Sequence, residues 1–350
     1  MKGSGDGDAA GRGPDAASRP GVTRRGTAHR SGRLSVLVIA AAAALWATDA
    51  YFRGYLLARL GAAQIVLGED LLIAVPLAPV LWLRRCELRR LGWRGWLATA
   101  IVGAGPQAIA TVMFTASLAY KNFAVSYVLQ QTQPLIAVLL AGLLLGERRR
   151  GWYWPGLIAA LAGAYLVVFA PDLAAPVRAI PSAREAAAAL ALGAAALWAL
   201  GTVLGRYLLR SVSFPTMTSL RVTLALPVLA AAVLAGQGAG ALAGYRASQV
   251  PGFLGLALIP GLLALLLYYR ALSTTPASLS TIAEMAYPVT ATIIASAPAP
   301  AGFGQALYPA QLAGTALLAC AIGLANWGKS AGIVSGNRQG AAAASVPARH

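Results

Sequence analysis

Charge is scarce in this chain of 350 residues, of which only 11% are Asp, Glu, Lys or Arg. A soluble domain carries roughly 25%, and one of this length could not cover its surface with so few. Sulfur and imidazole are scarcer still. The two cysteines are Cys86, beside a basic stretch, and Cys320, in an apolar run. The two histidines, His29 and His350, lie in polar tails. None of these has a metal-ligand spacing, and two cysteines make no disulfide framework. There is no His-Glu-x-x-His pair, so neither a metal nor any other cofactor is expected. Together these absences exclude a soluble enzyme and a disulfide-stapled scaffold.

Apolar residues, by contrast, make up 58% of the chain, and mean hydropathy is +0.66. That excludes a disordered chain and describes a polytopic membrane protein, whose constant partner is the lipid bilayer. Windows of about 20 mostly apolar residues, the length needed to span hydrocarbon, fall at 34–52, 64–83, 96–118, 125–145, 154–170, 186–204, 215–234, 251–268, 279–297 and 307–327. The fold class expected is therefore all-α, with ten transmembrane helices. The net charge of +17 reads as topology rather than nucleic-acid binding, because Lys and Arg collect in cytoplasmic loops. With the N-terminus inside, inward tails and loops hold 21 of the 28 basic residues and outward loops 6, with Arg221 inside a span. A multi-pass protein of the cytoplasmic membrane with both termini cytoplasmic is expected. Residues 1–33 and 329–350 read as disordered cytoplasmic tails.

The sequence also repeats itself. Ala44-Leu45-Trp46-Ala47 recurs as Ala196-Leu197-Trp198-Ala199, and Tyr55-Leu56-Leu57 as Tyr207-Leu208-Leu209, both displaced by 152. Pro76 matches Pro227 at 151, Pro134 matches Pro288 at 154, and Gly156 matches Gly314. The expected organisation is a first five-helix repeat over 34–170, a connecting loop over 171–185 and a second repeat over 186–328. An odd number of spans per copy forces the second copy to insert upside down. Inverted repeats of this kind are a transporter architecture, since exchanging the conformations of the halves alternates access.

Phe114-Thr-Ala-Ser-Leu-Ala-Tyr120, Gln130-Gln-Thr-Gln-Pro134 and Leu145-Gly146-Glu147-Arg148 resemble the first EamA repeat of the drug/metabolite transporter superfamily. Tyr268-Tyr-Arg-Ala-Leu272, Thr275-Pro-Ala-Ser278 and Ala283-Glu284-Met-Ala-Tyr287-Pro288 resemble the second. The resemblance covers about 34–328. It implies a ten-helix secondary transporter of small metabolites, often an exporter. Two places depart from the pattern: Trp46-Ala47 stands for Trp-Gly, and Pro298-Ala-Pro-Ala-Gly302 lacks the acid that Glu147 supplies in the first half. Glu147 is accordingly expected to pair with Arg148, Arg149 or Arg150.

Ionisable residues within spans cost at least about 2.5–3.5 kcal/mol to insert and are seldom idle. Glu284 stands four residues before Pro288, as its repeat mate Gln130 stands four before Pro134. Tyr287 and its mate Gln133 lie on the same helix faces. Each proline removes a backbone donor and can free a carbonyl toward a cavity. A shared central site built from Gln130, Gln133, Glu284 and Tyr287 is therefore expected. An acid there suits a proton carrier exchanged against substrate; a structural glutamate bonded to a neighbouring helix is the plainer alternative. Asp70 and Arg221 are mates at 151. They are expected to pair, either structurally or with Arg221 receiving an anionic substrate group. Asp49 shares a face with Trp46 near the outer end of its span and is a vestibule candidate, or simply solvated. Glu69 is placed near the outer interface. Trp46 and Trp198 are assigned to packing or the interface.

The leading reading is a secondary transporter moving a small molecule by alternating access, with protons as a candidate coupling ion. A non-transporting receptor or scaffold, and less so a membrane-embedded enzyme, are the competing classes.

Overall fold

The computed structural model describes residues 23–119, 129–130, 132–147, 151, 153–169, 172–174, 185–298 and 308–324, and these contain helices but no strand. In chain order the helices are α1 (Thr23–Ala47), α2 (Asp49–Leu57), α3 (Ala62–Leu83), α4 (Trp93–Ser117), α5 (Gln133–Leu145) and α6 (Tyr153–Phe169). They continue as α7 (Glu185–Leu208), α8 (Phe214–Gln237), α9 (Ala247–Leu272), α10 (Ala277–Ala283), α11 (Ala286–Ser296) and α12 (Pro309–Leu324).

Six helices among the described residues are long and apolar enough to cross a membrane: Leu34–Leu57, which spans the α1/α2 bend, then α3, α4, Ala188–Leu208 within α7, α8 and α9. Three more, α5, Tyr153–Val167 and α12, are apolar but shorter. The ninth expected window is not one helix, because it breaks between α10 and α11. The fourth is described only in part, with a turn at Thr132 ahead of α5. Proline explains both breaks. Pro288 has no N–H for the carbonyl of Glu284, and Tyr287 N–H takes it instead at 3.0 Å. Pro134 likewise leaves the carbonyl of Gln130 without its helical donor. The first helix starts at Thr23, earlier than the tail boundary expected at residue 33. A helix already nucleated by an apolar segment extends at little cost into the polar residues before it.

Many large apolar side chains point outward, Leu143 being 82% and Val75 70% exposed, while alanines and polar groups such as Asp70 and Thr99 are among those inside. That is the pattern of a bundle solvated by lipid, in which small residues let helices approach. Gly163 and Gly314 mark one such crossing of α6 and α12. A Cβ on Gly163 would sit 2.8 Å from the Gly314 carbonyl oxygen, and one on Gly314 2.6 Å from that of Gly163.

Helices equivalent by the sequence repeat cross-pack between halves: α3 with α8, α1 with α9 and α11, and α7 with α4 and α5. The mates α3 and α8 run antiparallel, as contacts at both ends show. Just after α3, Glu87 accepts a hydrogen bond from the N–H of Ser213, the residue before α8, at 2.7 Å. Arg84 donates to both Glu87 (2.9 Å) and the Ser213 hydroxyl (3.0 Å). Just after α8, the carbonyl of Ala241 accepts from Gln64 at 2.7 Å, and Tyr245 donates to the Gln64 carbonyl at 2.7 Å. Burial opposes ionisation of Glu87, but the donors from Ser213, Arg84 and Thr216 outweigh it and hold the carboxyl at about 2.

Candidate functional site

A cavity of about 390 Å³ lies between the halves. The local structure around it is irregular by design of the sequence. α4 and α9 each carry a π-helical stretch, Gly103–Ile109 and Ala257–Leu263. Each contains one proline, Pro106 and Pro260, which are 154 apart in the chain. Such bulges insert a residue into the helix and turn side chains that an α-helix would hide. Gln107 and Gly261, the residues after the prolines, both line the cavity.

On one side of the cavity the helix breaks deliver Gln130, Gln133, Glu284 and Tyr287, all of them on its wall with Pro134 and Pro288. Glu284 accepts hydrogen bonds from Tyr268 at 2.9 Å and from the Gln133 amide at 3.1 Å. Tyr268 also bonds Thr202 at 3.0 Å. The amide oxygen of Gln130 is buried and has no partner among the described residues.

The expected Asp70–Arg221 pair is not direct. Gln107, displaced by the π turn, stands between them. Its amide donates to Asp70 at 2.8 Å, and its oxygen accepts from Arg221 at 2.5 Å. The other end of Arg221 donates to Tyr269 at 2.7 Å. Arg221 lines the cavity, and Asp70 lies behind Gln107, fully buried.

Glu69, expected near the outer interface, is not free of partners. It is buried and ion-paired with Arg53 at 3.0 Å. Arg53 also holds Asp49 at 2.7 Å, so Asp49 is paired rather than merely solvated. The bend between α1 and α2 makes this possible. The Thr48 hydroxyl donates to the Leu45 carbonyl at 2.7 Å, a local bond that competes with the helix ladder. All three charged residues line the cavity, which extends along α2 to Leu57.

At the opposite end the halves are fastened together. Gly146 takes φ of +66° after α5, a left-handed residue that glycine adopts without strain. The turn brings Glu147 onto the start of α10, where it accepts from Ala277 N–H at 3.1 Å and from the Ser278 hydroxyl at 2.9 Å. Arg148, Arg149 and Arg150, its expected partners, lie outside the described residues. Tyr153 donates to the Ser278 carbonyl at 2.9 Å and Ser35 bonds Thr274 at 2.8 Å, while Arg206 donates to the Ser273 carbonyl within the second half.

Sequence reading missed Arg53, Gln107 and the π turns. The spacing of Pro106 and Pro260, the same as that of Pro134 and Pro288, was the available signal for the turns. Gly323 to Ser330 has the letters of a phosphate-binding loop and Gly328 to Gly332 those of a nucleophile elbow. Gly323 is on α12 and no strand among the described residues precedes it, whereas both motifs draw their meaning from a strand-to-helix turn; residues 325–332 lie outside the described residues.

The EamA-like transporter family model matches residues 33–169 and 186–327, and the chain belongs to that family. Its two matched segments coincide with the two halves of the bundle. The chain is also similar to the riboflavin transporter ImpX of Fusobacterium nucleatum, with 29% identity over 208 residues. That match covers 58% of this chain and 66% of the relative, just under two thirds of the relative's length. A solved crystal structure shares the fold at a TM-score of 0.64 and 20% identity, over 83% of this chain and 96% of the other.

Proposed function

We propose that this protein is a secondary transporter of small molecules, built of ten membrane segments in two inverted repeats, that works by alternating access and exports its solute. The observation that carries the reading is the central cavity, whose wall is drawn from matched positions of both halves at matched helix breaks. The antiparallel course of α3 and α8 supports inversion. The cavity's extension along α2, with Glu147 and its neighbours joining the halves at the far end, supports an outward-facing form with both termini in the cytoplasm. A scaffold has no need of Gln130, Gln133 and Glu284 facing one cavity inside a lipid-solvated bundle.

Glu284 is the proton carrier in this reading. It is the one acid on the wall bonded only by neutral groups among the described residues, Tyr268 and Gln133. Protonation there would release Tyr268 to bond elsewhere, so occupancy by a proton and by solute would be linked. Riboflavin, the solute named for the Fusobacterium relative, is the first to test. The decisive experiment is flux of riboflavin into liposomes holding the purified protein, with and without an imposed pH gradient. Wild type is expected to accumulate riboflavin only with the gradient. Glu284→Gln is expected to equilibrate it without accumulation. Full gradient-driven accumulation by Glu284→Gln would remove the proton-carrier role, and metabolite pools unaltered by the protein would remove transport itself.

A further inference from the structure

We propose that the solute is an uncharged planar heteroaromatic molecule, recognised by two symmetry-related aromatic pairs and by the unpartnered amide oxygen of Gln130; this rests on the transport reading above. The pairs are Trp46 with Tyr268, ring centroids 5.1 Å apart, and Phe114 with Trp198, 5.3 Å apart. The tryptophans are repeat mates at 152, and Tyr268 and Phe114 are mates at 154. All four rings line the cavity, although the sequence assigned both tryptophans to packing or the membrane interface. The same ring pair has therefore been built twice, each time with one ring from either half, on the wall of one small chamber.

Two of the rings are held in place before any solute arrives. Trp198 donates its indole N–H to the carbonyl of Pro106, in the π turn, at 3.1 Å. Tyr268 is fixed by Glu284 and Thr202. Rings fixed in this way offer a flat solute stacking area at small entropic cost. The charged groups on the wall are already engaged, by ion pairs or by hydrogen bonds, among the described residues. Arg53 stands between Asp49 and Glu69, Arg221 is engaged by Gln107 and Tyr269, and Glu284 by Tyr268 and Gln133. A charged solute would have to break one of these sets, whereas a neutral one would not. What the wall does leave open is one acceptor, Gln130 Oε1, and one donor, Arg53 Nη1, both buried and without a partner among the described residues. The matching solute presents a ring N–H or amino donor to Gln130 and a carbonyl or hydroxyl acceptor to Arg53. Flavins and purine nucleosides have this chemistry. Simple polyols and amino acids lack the flat ring.

The test measures flux of riboflavin, adenosine, ribitol and alanine into liposomes holding the full-length protein. Riboflavin or adenosine is expected to move, with ribitol and alanine at the rate of empty liposomes. Trp46→Leu and Phe114→Leu are each expected to raise the half-saturating concentration about tenfold, the loss of one aromatic stack. Trp198→Phe keeps the ring without its hydrogen bond and is expected to stay within about threefold of wild type. Gln130→Leu is expected to weaken riboflavin about tenfold and to discriminate less against analogues methylated at the ring N–H. If ribitol or alanine moves and the ring compounds do not, the solute class is wrong while transport stands. Ring variants of unchanged half-saturation with intact flux would overturn the role of the pairs. If no solute moves and metabolite pools are unaltered by the protein, the transport reading falls and this proposal with it.

Discussion

Arg53 bridges two carboxylates of the cavity wall, Asp49 and Glu69. Its removal would leave Glu69 buried without a counter-charge, and such orphaned charges cost about 3–5 kcal/mol. Arg53→Ala is expected to lower thermal stability in detergent by that order, and the double variant Arg53→Ala/Glu69→Ala to recover part of it. No recovery would mean that Arg53 acts mainly through packing. Glu87 makes the opposite kind of contribution, at the membrane surface. Its folded carboxyl lies at about 2, below its ordinary value of 4.5, so it favours the folded state. That contribution is full above pH 4.5 and is lost as pH falls through 2. Glu87→Gln is expected to cost roughly 1–2 kcal/mol at pH 7, with the gap to wild type closing between pH 4.5 and 2 in thermal unfolding. A gap independent of pH would contradict the assignment. Candidates such as Glu284 and Gln130 were legible because they stand at a fixed distance before a proline in both copies. Arg53 and Gln107 were not, since their placement depends on the bend at Thr48 and on the π turn, neither of which leaves a spacing in its own copy alone.

Among the elements, α4 and α9 differ from the other long helices in carrying a π turn around a proline. A π turn can relax toward α-helical pairing by shifting one residue, which rotates everything beyond it. Pro260→Ala is expected to preserve folding and solute affinity while changing turnover in liposomes severalfold, because the bulge is then free to close. Unchanged turnover would show that the bulge is static. The α6/α12 crossing tests packing instead. Gly163→Val would place side-chain atoms against the Gly314 backbone, and overpacking of this kind costs about 1–3 kcal/mol. A stability loss of that size is expected, with Gly156→Val, which has open space around it, close to neutral. The sequence matched Gly156 with Gly314, yet the residue that touches Gly314 is Gly163. Repeat alignment identifies equivalent positions; it does not say which of them meet across an antiparallel pair.

For the whole molecule, apolar windows carried the all-helical class, and the motifs around Pro134 and Pro288 carried the resemblance to the family that the chain belongs to. Span count was less legible, because a helix broken by proline and a continuous one have the same hydropathy. Topology is open to direct measurement through the two cysteines, both exposed. With Cys320 replaced by serine, a membrane-impermeant maleimide is expected to label Cys86 in inverted vesicles and not in intact cells. Placing the single cysteine at Arg246 instead should reverse the pattern. Labelling of both from the same side would defeat the inverted arrangement.

Glu147 fastens one face of the bundle, and the matching stretch of the second half's sequence, Pro298-Ala-Pro-Ala-Gly302, has no acid. In a cycle of the proposed kind the two postures are therefore unequal wells. A bias of 1–2 kcal/mol from a few such bonds skews resting occupancy by about five- to thirtyfold. Gradients still decide the net direction of traffic. The posture in which an empty molecule waits, and hence the compartment from which a competitor first reaches it, would be decided by a single carboxylate.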